Sequence, residues 1–257
     1  MSRIRVITYN IHKGRSALGS RESLGDLRLG LHGLRPDLVF LQEVQGRNDK
    51  AVTLDQQHES LAAALRLHAA YGCNAVRHRT DHGNALLSRY PILSFENQDI
   101  SDHRLEQRGL LHARVEVGGT EVHCFVVHLG LFAGSRNRQV SALAHRIRAQ
   151  VPDRAPLLIA GDFNDWGNKL APLFVRQLGL AEAFPHTPRT FPSIFPWLRL
   201  DRIYQRGFVV RNTRVLHGRE WSRLSDHAPL LAELELSDPA PLPDEWGKHR
   251  LLRRQAG

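Results

Sequence analysis

The chain has 257 residues, 42% of them hydrophobic and 24% charged, an ordinary composition for one large globular domain or two small ones. No apolar run approaches the ~20 residues of a membrane-spanning helix, and two cysteines, Cys73 and Cys124, are too few for a disulfide framework. Lys and Arg number 35 against 26 Asp and Glu, a formal net charge of +9. Residues 237–257 (four Lys/Arg, three Asp/Glu) add only +1 of it, so the body is basic. That favours an anionic partner such as nucleic acid, an anionic lipid surface or a phosphorylated small molecule, although an Arg-rich solvated surface accounts for the same excess.

Residues 4–10 form an apolar strand that ends in Tyr9-Asn10-Ile11-His12, with no signal-peptide core before it; a cytoplasmic protein with reduced thiols is expected. Leu24, Leu27, Leu31 and Leu34 share one helical face. Residues 38–43 make a second strand that ends in Gln42-Glu43, and 84–88 a third, opened by Asn84. Strands at 109–117 and 120–128 flank Gly118-Gly119, a tight hairpin turn, and the second of them ends in His128. Val140, Leu143, Ala144, Ile147 and Val151 mark a helix that Ser135 is placed to cap and Pro152 to end. Residues 156–160 are an apolar run, within a strand at 157–162, that breaks at Gly161-Asp162-Phe163-Asn164; residues two apart on an extended chain point the same way, which would aim Asp162 and Asn164 together. Asp201 lies in a strand at 200–204, and Ser225-Asp226-His227 precedes the last strand, at 229–236. Pro239, Pro241 and Pro243 and a basic end make 237–257 read as a loosely ordered tail, leaving 1–236 as one domain. Hairpins mixed with helical connections predict a mixed sheet or two packed sheets with helices outside.

Polar groups avoid the ends of buried strands unless a site uses them. Taken singly, each has an ordinary explanation: Asn10 as a turn residue, Glu43 as a solvated strand end, His128 as one of 15 histidines, Asp201 as a partner of Arg199 or Arg202, Asp226-His227 as a cap. Together they fit one reaction, the metal-assisted attack of water on a phosphoester. Glu43 and Asp226, with Asn10 completing the shell, are suited to Mg²⁺. His227 deprotonates or orients the water, with Asp201 fixing its tautomer. Asp162 holds the water, Asn164 donates to a non-bridging oxygen, and His128 serves the phosphate or the leaving group.

These residues resemble the endonuclease/exonuclease/phosphatase superfamily. The matching pieces run in order: Thr8-Tyr9-Asn10, Leu41-Gln42-Glu43, Gly83-Asn84-Ala85-Leu86-Leu87-Ser88-Arg89, His128-Leu129, Gly161-Asp162-Phe163-Asn164, Leu200-Asp201-Arg202-Ile203 and Ser225-Asp226-His227-Ala228-Pro229. The resemblance implies a deoxyribonuclease I-like α/β fold, a four-layered sandwich of two mixed sheets flanked by helices. It implies catalytic roles for His227, Asp162, Asn164, His128 and Asp201, and a metal site at Glu43, Asn10 and Asp226 holding Mg²⁺, with Mn²⁺ as substitute. Arg108 and Asn84 are substrate-binding candidates; Asn84 occupies the strand where deoxyribonuclease I carries a Glu paired with the histidine.

The expected activity is a metal-dependent phosphodiesterase acting as a monomer, with no obligate protein partner. Its substrate is nucleic acid or a phospholipid or small phosphoester. His128, where abasic-site endonucleases carry Asn, and the absence of a long basic insertion tilt away from an abasic-site enzyme. The aromatic segment at 191–198 either stacks on bases, touches an acyl or sugar group, or packs on the core. A non-catalytic binding module is the remaining alternative, disfavoured by the intact set of polar residues.

Overall fold

A computed structural model describes residues 2–104 and 106–237. In chain order the strands are β1 (Arg3–Asn10), β2 (Leu38–Val44), β3 (His68–Val76), β4 (Asp81–Ser88), β5 (Ile92–Asp99), β6 (Gly109–Val117), β7 (Thr120–His128), β8 (Leu157–Asp162), β9 (Ala181–Glu182), β10 (Asp201–Arg206), β11 (Phe208–Val215) and β12 (Leu230–Leu236). The α-helices are α1 (Leu24–Leu34), α2 (Gln57–Leu65) and α3 (Ala133–Gln150). All but Ser237 of the expected tail lies outside the described residues.

The strands form two six-stranded sheets, ordered β11-β12-β1-β2-β4-β3 and β5-β6-β7-β8-β10-β9. β1 runs parallel to β2, and β7 to β8; the other neighbours are antiparallel, so both sheets are mixed. The central strands are apolar on both faces, which is why their sequences read as continuous runs. Val6, Phe40, Val126 and Leu158 point between the sheets. Their neighbours point outward: Ile7 and Leu41 pack under Leu27 and Leu31 of α1 and Leu61 of α2. Val127 and Ile159 pack under Val140, Leu143 and Ile147 of α3. Helix, sheet, sheet and helix thus make the four layers, and each buried Leu, Ile or Phe contributes roughly 1.5–3 kcal/mol.

The hairpin at Gly118-Gly119 joins β6 to β7 with Val117 opposite Thr120, both glycines at positive φ. Ser135 is not the cap of α3. The helix starts at Ala133 with Phe132 at its N-cap and no side-chain cap, and the Ser135 hydroxyl donates instead to Asp102 Oδ2 at 2.7 Å. A side chain already inside the first turn cannot reach the orphan amides from outside it. Gly161 is required by packing: a Cβ there would run into the Val127 carbonyl of β7.

Candidate active site

Strand register assembles the site before any side chain is considered. In the second sheet, His128 of β7 pairs with Asp162 of β8, and Asp162 pairs with Asp201 of β10. One row across three strands therefore presents a histidine and two carboxylates. In the first sheet, Asn10 of β1 pairs with Gln42 of β2, next to Glu43. Asp226 and His227 lie just before β12, which enters antiparallel to β1 with Leu230 opposite Thr8, at the same end of the sandwich.

Glu43 interrupts the ladder of β2 at a bulge between Leu41 and Val44, with φ +55°. A non-glycine residue in that region is uncommon and is held by its surroundings. The bulge frees the side chain to face Asn10, whose Nδ2 donates to Glu43 Oε1 at 3.5 Å and to Asp162 Oδ2 at 3.3 Å. Asn10 thus spans the two sheets. Its Oδ1 accepts from the His12 amide, and its main-chain carbonyl accepts from the Ser225 hydroxyl at 2.7 Å.

Asp162 is the hub. Besides Asn10, its Oδ2 lies 3.5 Å from His128 Nε2 and 3.6 Å from His227 Nε2. Its Oδ1 accepts from the Asn164 amide at 2.9 Å. Asn164 is not a simple extension of the strand: it has φ +48°, β8 ends at Asp162, and its Nδ2 donates to Leu129 O at 2.9 Å. The chain turns around the Asp162 carboxylate instead of aiming both side chains alike. On the far side of His227, Nδ1 lies 2.8 Å from Asp201 Oδ2, so the Asp201–His227–Asp162 row is hydrogen-bonded at one end and makes only a long, 3.6 Å contact at the other.

Burial drives the His227 ring toward neutrality, but Asp201 and Asp162 overcome it and raise its pKa to about 10. Burial raises the Asp162 carboxyl above the usual range, the charge of His227 opposing and that of Asp201 reinforcing the shift. Burial, helped by Arg108, pushes His128 well down, so it is neutral. At Glu43 burial raises the pKa, yet the charges of His128 when protonated and of Lys13 hold it well below the carboxylate range. With His128 neutral, Lys13 is the lasting cause, its Nζ 2.5 Å from Glu43 Oε2.

Asp226 stands at the mouth, 3.8 Å from His12 Nδ1 and 3.3 Å from the Ser225 hydroxyl. Arg108 is engaged by Glu106 (3.0 Å) and by the Leu129 carbonyl (3.2 Å), behind His128. Asn84 is fully buried. Its Nδ2 donates to the carbonyls of Gly109 and Val126, so it ties the two sheets together, and its Oδ1 has no partner among the described residues. Lys13, His12 and His82 belong to the site without any motif to announce them. His12 and Lys13 are brought in by backbone at positive φ, and burial and Lys13 lower the pKa of His82.

The donors fit a hard divalent cation. Glu43, Asn10 and Asp226 offer carboxylate and amide oxygens, and an ammonium already sits on Glu43 as a cation would. Asp162, Asp201 and His227 also bring one ligand atom each within 4.8 Å of one another, but Asp201 and His227 are already bonded to each other there.

Comparison with known proteins bears on the family and fold of the chain. A model of the endonuclease/exonuclease/phosphatase family matches residues 7–227. The uncharacterized protein YbhP of Escherichia coli K12 is 42% identical over 90% of this chain and 96% of its own length. An endonuclease/exonuclease/phosphatase from Beutenbergia cavernae superposes with a TM-score of 0.78 at 21% identity, over 93% of this chain and 73% of that one. A mannosyl-6-phosphatase from Bacteroides thetaiotaomicron superposes with a TM-score of 0.69 at 19% identity, over 91% and 100%. The two mixed sheets have the deoxyribonuclease I-like architecture of these neighbours, and the family model spans every strand-end residue from Asn10 to His227. The chain belongs to the endonuclease/exonuclease/phosphatase family.

Proposed function

We propose that this protein is a metal-dependent phosphodiesterase that activates water at Asp162 and His227. One observation carries the reading: Asn10 Nδ2, His128 Nε2 and His227 Nε2 all face Asp162 Oδ2 at 3.3–3.6 Å. An amide and two ring nitrogens converge on one carboxylate oxygen at the strand ends, the donors and acceptor that a water or a phosphate oxygen entering beside them needs, and such contacts tighten when substrate is bound.

The electrostatics divide the roles. The raised pKa of Asp162 makes it a stronger base than a free carboxylate, and above its pKa it accepts the proton of the attacking water. The Asn164 amide fixes which oxygen faces the water. His227, protonated through its pairing with Asp201, presents Nε2–H and a positive charge to the phosphate. His128, neutral, donates or accepts one hydrogen bond at the leaving side, and Arg108 stands behind it. Glu43, with Asn10 and Asp226 beside it, would hold Mg²⁺ or Mn²⁺, which when bound neutralises charge on the phosphate and the leaving oxygen.

Hydrolysis of bis-p-nitrophenyl phosphate with Mg²⁺, with and without EDTA, tests the proposal. Metal-dependent turnover that is lost in Asp162→Asn is expected. No metal-dependent turnover across a panel of phosphodiesters and phosphomonoesters overturns it. Salt-sensitive binding of an anionic ligand that survives Glu43→Ala, without turnover, would instead make the chain a binding module.

A further inference from the structure

The mouth of the site is ringed by apolar side chains that water does not favour. Leu131 and Phe132 are exposed by 54% and 63%, Trp166 by 57%, and Ile194, Phe195 and Trp197 by 69%, 78% and 60%. Single exposed apolar residues are ordinary. Their placement here is not: of the exposed phenylalanine and tryptophan rings among the described residues, all but Phe95 lie in these three loops.

The three loops leave adjacent strands beside the site residues. Leu131-Phe132 follows His128 at the end of β7, Trp166 follows Asp162 at the end of β8, and the 191–198 loop leads into Asp201 at the start of β10. Register keeps those strand ends side by side. The 191–198 loop is anchored at its base. The Ser193 amide and hydroxyl donate to the carbonyls of Asp226 and Ser225, Trp197 and Leu198 donate to the Phe191 carbonyl, and the Phe191 ring lies 5.0 Å from that of His227. Ile194, Phe195 and Trp197 are therefore held outward at a tied tip.

Charge points to what covers them. Residues 129–136 and 185–200 contain no Asp or Glu, and Asp165, the one acid of 163–170, is buried and accepts from the Lys169 and Leu170 amides. Lys169, Arg189, Arg199 and Arg219 make no ion pair among the described residues. Arg189 and Arg219 line a groove of about 380 Å³ together with Ile194 and Pro196. Tryptophan and phenylalanine at the tips, unpaired cations on the flanks and no exposed carboxylate within the three loops themselves suit the interface of an anionic bilayer. Bases stack only on flat faces, which leaves Leu131 and Ile194 unexplained, whereas acyl chains accept aliphatic and aromatic groups alike.

We propose that these three loops dock the protein on anionic lipid bilayers, with the catalytic mouth facing the membrane. This rests on the proposed phosphodiesterase only for its corollary, that the substrate is a phosphodiester presented at a lipid surface. Docking itself is read without turnover. The full chain is floated with vesicles of phosphatidylcholine alone and with about one-third phosphatidylglycerol, in EDTA, while tryptophan emission is followed with brominated lipid. Flotation with the anionic vesicles, a blue shift, and quenching by brominated lipid are expected. Ile194→Ser/Phe195→Ser/Trp197→Ser should lower partitioning at least about tenfold and leave hydrolysis of soluble bis-p-nitrophenyl phosphate unchanged, with Trp166→Ser as an independent variant on another loop. Failure of the wild-type protein to float with either vesicle overturns the proposal. So does quenching by oligo-dT without vesicle binding, which would make the rim a nucleic-acid platform, or a dimer that buries the rim and ignores vesicles. If turnover on every phosphoester is absent but flotation persists, the docking surface stands and the phosphodiesterase falls.

Discussion

Replacing Asp201 with asparagine removes one charge from the Asp201–His227–Asp162 row and leaves its shape. The ordinary histidine value is 6.5; burial lowers that of His227, and Asp201 and Asp162 together carry it to about 10. At ~1.4 kcal/mol per pKa unit the interval is worth about 5 kcal/mol, divided between two carboxylates, so losing Asp201 costs roughly 2–3 kcal/mol. The sign follows from linkage. His227 binds its proton more tightly folded than unfolded, so this stability is complete below pH 6.5 and is lost as pH rises through about 10. In Asp201→Asn that pH-dependent loss flattens, and the His227 midpoint falls toward neutrality. Titration of ring-labelled histidine by NMR in EDTA reads the midpoint, and melting between pH 6 and 10 reads the stability. At about 2–4 °C per kcal/mol, Tm at pH 7 drops by roughly 5–10 °C. Turnover falls at least about a hundredfold, because the ring loses its orienting partner. A His227 midpoint that stays near 10 in the variant would refute the assignment of its proton to Asp201.

Asp162→Asn should abolish turnover, by at least about a thousandfold, while the protein stays folded by circular dichroism; an unfolded variant would make Asp162 a structural residue. Glu43→Gln should raise the Mg²⁺ concentration needed for half-maximal rate, and an unchanged titration removes Glu43 from the ligands. Lys13→Ala should shift the same titration the other way by several-fold, since it removes the ammonium 2.5 Å from the Glu43 carboxylate; no shift means the two cations do not compete. Gly161→Ala should cost about 3 kcal/mol or more through collision with the Val127 carbonyl, and a melting curve like that of the wild type would show that β7 and β8 can separate there.

The strands that escape a reading of the sequence are β3, β5, β9 and β11, and these are the four sheet edges. An edge strand packs on fewer neighbours, so its burial alternates or fades: Ile92–Asp99 and Phe208–Val215 are half exposed and carry Glu96, Asn97, Arg211 and Asn212. Central strands, buried on both faces, announce themselves as apolar runs, and the polar residues at their ends announce the site. Asn10, Glu43, His128, Asp162, Asp201 and His227 were legible for that reason. Lys13 was not, because its approach depends on left-handed backbone at His12 and Lys13 that no motif encodes. The rim was legible only at 191–198; Leu131, Phe132 and Trp166 join it through strand register, which single residues do not reveal.

Asn10 reaches from one sheet to Asp162 on the other, and Asn84 clamps the same two layers through the carbonyls of Gly109 and Val126. In the proposed phosphodiesterase, turnover then gauges how the layers are aligned. A slip of one sheet over the other by a fraction of a hydrogen-bond length separates Asn10 from Asp162 while both sheets keep their own ladders. Loosening this seam, as Asn84→Ala would, should abolish the proposed hydrolysis at temperatures or denaturant concentrations where circular dichroism still reports intact strands.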